Sequence, residues 1–397
     1  MDRKHRELIV VLGALTAFAP MSIDMYLPAL PTLAKLFHAK AVEVQLTLAM
    51  FFIGFAFGQA FYGPVADRFG RKPPLYAALT LFVAASVGCA LAPSIHALAA
   101  WRLAQALGAC AGIVIARTVV RDLFEPRDAV RVYAALMLVM GVAPILAPLF
   151  GGYILIHFGW PAIFWVLAAF GVICFMLAVF RLPETHSGEA PHPFELGHIL
   201  AGYGRLLEHR RYLGYALTGG FSSAGMFAYI AGSPFVLIDL YRIPAQHYGW
   251  IFGSNAFGLI FASQLNGRLL HHRFGGDAVL YGANLVQALA GITLLTVVMT
   301  GIGGLAGILV PLFFYIACIG LVMPNATALA MAPHGRNAGA ASSLLGTLQF
   351  ALAAIVAIII GAVHDQTALP MAAVIAVCGT LGLICHRSLV SAQPTAK

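Results

Sequence analysis

Twelve apolar runs follow one another along this chain with little polar sequence between them, at roughly 8–34, 44–62, 74–92, 97–120, 131–156, 161–180, 212–238, 248–267, 278–300, 303–331, 338–361 and 368–387. Crossing ~30 Å of hydrocarbon takes roughly 20 apolar residues as a helix, so each run is the length of one membrane span. The chain therefore reads as an all-α, multi-pass membrane protein. Of its 397 residues 61% are hydrophobic and 10% charged, where a soluble domain carries about a quarter charged residues.

The formal charge of +8 invites a nucleic-acid reading, but its distribution refuses one. With the N-terminus placed inside, Lys35, Lys40 and Arg242 are the external cations, Arg102 and Arg117 lie within spans, and every other Lys and Arg is cytoplasmic. This is the positive-inside bias, and it predicts both termini in the cytoplasm. The first run continues as a span and is too long for a cleaved signal peptide. The six cysteines all fall inside apolar runs without metal-ligand spacing, as small hydrophobes do.

One substantial polar segment, 181–211, separates six spans from six, giving expected domains of 1–180 and 212–397 around a cytoplasmic central loop. After the second span comes Gly63-Pro-Val-Ala-Asp-Arg-Phe-Gly-Arg-Lys72, a tight turn carrying four charges. A weaker echo, Asn266-Gly267-Arg268 with Arg273-Phe274-Gly275, follows the second span of the other half. Two parallel halves of this kind suit a transporter that rocks about a central site.

The same topology places all the acids in cytoplasmic or external segments except Asp24, about two thirds of the way along the first span. A charge at the centre of a membrane helix costs about 2.5–3.5 kcal/mol on insertion scales and is kept for function or for a partner. Arg102 in the fourth span is the expected partner, both residues lying in the outer half. Asp24 and Arg102 are thus the candidate proton-coupling pair, with a permanent structural clamp as the plainer reading. Arg117, some four turns further along, either snorkels to the headgroups or faces the inner mouth of a cavity. Phe221, Met226, Phe227 and Tyr229 in the seventh span are candidates for an adaptable apolar pocket or for a packed helix face. Tyr26 and Asn325 complete the candidate substrate cavity. No intramembrane His, second acid or metal-binding cluster stands beside Asp24, so neither a membrane-embedded enzyme nor a cofactor is expected.

Several segments resemble the drug:proton antiporters of the major facilitator superfamily, and within them the bicyclomycin-resistance (Bcr/CflA) group. They are Ser22 to Pro31, the Gly63 to Lys72 loop, Arg102-Leu-Ala-Gln105 with Gly108, the Pro144 to Gly152 stretch, Phe221 to Phe227, and Ser342 to Gly346. The resemblance implies two pseudo-symmetric six-helix bundles and export of amphipathic drugs against proton entry, in a bacterial-type inner membrane and as a monomer. It makes Asp24 the protonatable group and Arg102 the residue that tunes it. Gly63, Asp67, Arg68, Gly70, Arg71 and Lys72 become a cytoplasmic gate, and Gly141, Pro144, Pro148, Gly151 and Gly152 the antiporter signature. Where some relatives carry a second acid this chain has Thr16. The alternative is a proton symporter importing a small polar metabolite, which shares fold and loop but favours a more polar cavity.

Overall fold

A computed structural model describes residues 3–185 and 196–390, and among them every regular element is helical. The chain divides into two compact units, Met1–Glu195 with Pro244–Gly249, and Leu196–Ile243 with Trp250–Lys397. Among the described residues, eleven of the expected spans are long and apolar enough to cross a membrane. The twelfth, expected at 248–267, does form a helix, α11 (Ala245–Leu265). Ser254, Asn255, Ser263 and Gln264 dilute its apolar character.

In the first unit the opening span, Glu7–Leu36, stays right-handed helical along its length, but its α-helical hydrogen-bond ladder is interrupted, which its unbroken apolar run did not lead one to expect. It consists of α1 (Arg3–Thr16), α2 (Phe18–Asp24), a 3-10 turn at Leu27–Ala29 and α3 (Leu30–Leu36). Pro28 and Pro31 stand in the first positions of the last two pieces. A proline has no N–H for the preceding turn and crowds the carbonyl four residues back, so two of them close together break the ladder. There follow α4 (Ala41–Phe69), α5 (Lys72–Ala90), α6 (Ile95–Leu123), α7 (Pro126–Phe158) and α8 (Trp160–Arg181).

Helix α6 is the hub of this unit and packs against both α4 and α5, while α5 also packs on α8. Lipid offers no hydrophobic drive between helices, so they associate through close backbone approach at small residues. A Cβ on Gly54 would fall 2.5 Å from the Leu103 carbonyl oxygen, and one on Gly108 2.6 Å from that of Ala78. Large apolar side chains such as Phe57, Phe150 and Phe180 are exposed on the outside, and the polar Ser86, Arg102 and Gln105 are buried inside. This distribution fits a surface solvated by acyl chains.

The second unit begins with α9 (Leu196–Glu208), an amphipathic helix where a polar loop was expected. Its Leu206 packs into a cluster with Tyr212 and Tyr215. Of the anticipated 181–211 linker, residues 186–195 lie outside the described residues. Helix α10 (Arg210–Pro234) is buried along most of its length and packs on α14 (Gly304–Met331), α15 (Ala338–Ala362) and α16 (Leu369–Cys385). Helix α13 (Gly276–Thr300) packs on α14 and α16. The short α12 (His271–Phe274) precedes it and ends at Gly275, whose φ of +79° is one that glycine adopts freely.

Candidate functional site

Arg102, two turns into α6, is the largest fully buried side chain in the molecule's described core. Its Nη1 donates to the Ser22 carbonyl at 2.9 Å and to Gln105 Oε1 at 2.7 Å. Gln105 in turn donates to Ser86 Oγ at 2.8 Å, tying α6 to α5. The guanidinium carbon lies 4.3 Å from the Phe51 ring centroid and 4.7 Å from that of Tyr26. Aromatic faces attract a cation through their quadrupole, more so when water is excluded. Tyr26 is itself fixed by a 2.8 Å hydrogen bond between its hydroxyl and Thr47 Oγ1. It therefore walls the arginine site and is fully buried.

Asp24 ends α2, immediately before the break in the first span, and is 4% exposed. It is the one acidic residue buried among the described residues. No ion pair joins it to Arg102 there. The arginine instead holds the backbone two residues earlier, at Ser22, because the aromatic box and Gln105 direct its Nη1 to that carbonyl. Helix α7 seals the break from the other side. A Cβ on Gly151 would fall 2.1 Å from the Met25 carbonyl oxygen, and one on Gly152 2.6 Å from that of Ala245, in the Pro244–Gly249 segment of the same unit. The structure thus brings the Asp24 break and the glycine/proline stretch into direct contact. Pro144 and Pro148 lie within one continuous helix, as does Gly141.

Contrary to the tight turn expected over 63–72, Gly63 to Phe69 continue α4 with Pro64 inside it, and only Gly70 and Arg71 lie between α4 and α5, in a crosslinked joint. Gly70 takes φ +85° and ends α4. Arg71 is 6% exposed; its Nε donates to Asp122 Oδ2 at 2.9 Å, and its Nη1 donates to Asp67 Oδ1 at 3.0 Å and to the Ala66 carbonyl. The backbone N–H groups of Arg71 and Lys72 donate to the two oxygens of Glu184 at 2.9 and 3.0 Å. Thr185 Oγ1 donates to Asp122 at 2.9 Å. Asp122 and Glu184 were not singled out from sequence, since acids in loops ordinarily look solvated. Arg68 lies over the Phe69 ring and Lys72 over Tyr76. Hydrogen bonds to a charged group contribute about 1.5–3 kcal/mol when sheltered and less when exposed. Glu184→Ala should lower the melting temperature of the detergent-solubilised protein by a few degrees, with Thr185→Ala costing less. Equal melting curves for all three proteins would count against this clamp.

Arg117 is half-buried near the end of α6, and its carbonyl accepts from the Tyr133 hydroxyl at 3.1 Å. In the second unit Tyr229 accepts at its hydroxyl from Asn255 Nδ2 at 3.0 Å and stacks on Phe252 at 5.4 Å. Phe227 tilts on Phe350 at 5.5 Å. Phe221 and Met226 are half-buried, and Phe221 lines an apolar cavity of about 410 Å³ between α10, α15 and α16. Asn325 is placed differently from its sequence grouping. Its Nδ2 donates to Asn266 Oδ1 at 3.0 Å and to the Leu321 carbonyl at 2.8 Å, and its Oδ1 lies 3.0 Å from His271 Nδ1. With both ends of the amide engaged, it clasps the segment that echoes 63–72.

An interrupted first span with a buried acid, a boxed arginine and a crosslinked joint, set among long apolar helices, fits a membrane transporter. The model of the Major Facilitator Superfamily matches residues 12–358, and the chain belongs to that family. It is 39% identical to the uncharacterized MFS-type transporter YdgK of Bacillus subtilis (strain 168), over 96% of this chain and 94% of the relative. It is 32% identical to a bicyclomycin resistance protein homolog of Haemophilus influenzae, over 96% of each, which bears out the resemblance read from the motifs. Identity to the multidrug resistance protein MdtL of Escherichia coli O81 is 29%, over 85% of this chain and 83% of that one. The fold matches the partially occluded, inward-open xylose transporter XylE from E. coli with a TM-score of 0.76 at 14% identity, covering 99% of this chain and 98% of that one. These relatives are transporters, and the protein is a multi-pass membrane transporter of small molecules, not an enzyme.

Proposed function

We propose that the protein exports amphipathic drugs in exchange for protons, with Asp24 as the proton-carrying group. The observation that carries this is the burial of Asp24 at the break of a transmembrane helix, two residues beyond the carbonyl that holds Arg102. Broken helices near the membrane midplane are where transporters build ion and substrate sites. A shift of α2 against α6 changes the separation of carboxylate and guanidinium. A nearby cation favours the ionised acid and a dry apolar wall the protonated one. Asp24 then takes a proton on the outer side and loses it on the inner side, and drug moves the opposite way.

One elementary charge crossing ~100 mV releases about 2.3 kcal/mol, enough for roughly a fifty-fold gradient of a neutral drug. A single carboxyl is therefore sufficient. The names of the Haemophilus and Escherichia relatives support drugs as cargo. The bundles 1–180 and 212–397 are the moving parts, the 63–72 segment is a cytoplasmic gate, both termini are cytoplasmic, and the protein works as a monomer in the inner membrane. Everted vesicles should accumulate a fluorescent cationic dye or an antibiotic when energised and release it on adding an uncoupler. Accumulation that survives the uncoupler, or cargo and protons moving in the same direction, would overturn the reading.

A further inference from the structure

Helices α15 and α16 each pack closely on α10 and meet one another at only a few places. The gap left between them is the apolar cavity of about 410 Å³ that Phe221 lines. Along α15 its wall is Leu352, Ile355, Ile359 and, just past the helix end, Val363. Along α16 it is Pro370, Val374, Val377 and Leu381. Spacings of three and four residues make each set a single stripe on its helix, and buried Ala224 of α10 forms the floor with Phe221. Each stripe rises about three turns, or 16 Å at 1.5 Å per residue. One leaflet has this depth, half of ~30 Å of hydrocarbon.

The cavity is a groove open to the lipid side, since Ile355, Val363 and Val377 on its rims are more than half exposed. Its lining presents no polar surface, so water gains no hydrogen bond there. A void would forfeit dispersion contacts along both stripes. Another helix, about 10–12 Å across with its side chains, is too wide for a gap between two helices that still touch. A single hydrocarbon chain has the width and the chemistry. The turn that joins the two stripes, residues 364–368, carries one carboxylate, Asp365, and no Lys or Arg. Asp365 is two residues from Val363, so their Cα atoms lie within about 8 Å of each other. Its Oδ1 accepts from Thr367 Oγ1 at 2.6 Å and from the Thr367 N–H at 2.9 Å, which holds the carboxyl below the usual carboxylate range. An anion at the mouth of the groove favours an amine-bearing headgroup over an anionic one.

We infer that the groove between α15 and α16 binds one acyl chain of a bilayer phospholipid with an amine headgroup, of the phosphatidylethanolamine type. Bound there, the chain fills the gap and braces both helices against α10. With both termini inside, as proposed above, the groove opens to the outer leaflet; its occupancy is read below whichever leaflet that is, and whether or not the protein exports drugs. The test is photo-crosslinking of the full-length protein in nanodiscs, with phosphatidylethanolamine carrying a diazirine in its acyl chain and mass-spectrometric mapping. Peptides over 352–363 and 370–381 should be labelled several-fold more densely than 173–180 of α8, where Ile173, Met176 and Phe180 are at least half exposed. Ala373, half-buried in the groove wall, leaves room for a plug. Ala373→Phe should cut the groove labelling several-fold and leave 173–180 labelled as before. Phosphatidylglycerol with the same diazirine chain should label the groove about two-fold less, the size of an exposed charge pair, and Asp365→Asn should erase that preference. Labelling no denser than at 173–180, or unchanged in Ala373→Phe protein with the parent's melting temperature, would overturn the site. Equal labelling by the two lipids would overturn the amine headgroup, and loss of labelling in excess ethidium would replace lipid with cargo.

Discussion

Asp24→Asn should reach the membrane at the level of the unaltered protein and export no drug. Asparagine has the shape of the acid and carries no proton between states, so folding is retained and coupling is lost. The site is apolar enough that removing the charge costs the fold nothing, since a buried carboxylate must either ionise against a cation or stay neutral. Cells carrying the variant should be as sensitive to drug as cells lacking the protein. Purified protein should release no protons on adding drug. Asp24→Glu keeps the titratable group on a longer arm, and partial activity is the expected result. Resistance unchanged in Asp24→Asn would remove this residue from the mechanism.

The second large effect falls on Gly151. Its Cβ would stand 2.1 Å from a backbone oxygen of the broken span, at Met25, and backbone cannot rotate aside as a side-chain tip can. Gly151→Ala must push α7 away from the segment carrying Asp24. Overpacking of this kind costs about 1–3 kcal/mol or more, and it displaces the site as well. We expect a large loss of folded protein and no measurable transport from what remains. Gly282→Ala is the control, since a Cβ on that helical glycine meets nothing within 4 Å. Alanine exceeds glycine in helix propensity by about 1 kcal/mol, so that variant should match or exceed the parent in stability. Equal behaviour of the two variants would show that the close approach at Met25 does not matter.

Much of this molecule was legible because bilayer physics writes long signals. Span lengths and the isolated acid at 24 follow from apolar runs and charge placement alone. The motif at 63–72 named the family before any geometry was known. What escaped was contact between residues remote in sequence. Glu184 binds backbone N–H groups at Arg71 and Lys72 more than a hundred positions away, and no local pattern distinguishes it from any other acid beside a helix end. Asn325 joined the cavity on its polarity inside a span, yet an intramembrane amide is as readily a clasp as a ligand, and its partners Asn266 and His271 sit on another helix. The break after Asp24 was present in Pro28 and Pro31 and was hidden by the apolar run around them. Hydropathy averages over the interruptions that matter most to function.

The crosslinked joint also has a mechanical meaning. Glu184, Asp122 and Arg71 bolt the end of α6, the start of α5 and the chain leaving α8 into one joint. A beam fixed in this way cannot flex at the fixing. At this end of the first unit α5, α6 and the chain leaving α8 are held to one another, so a displacement of any one carries the other two with it.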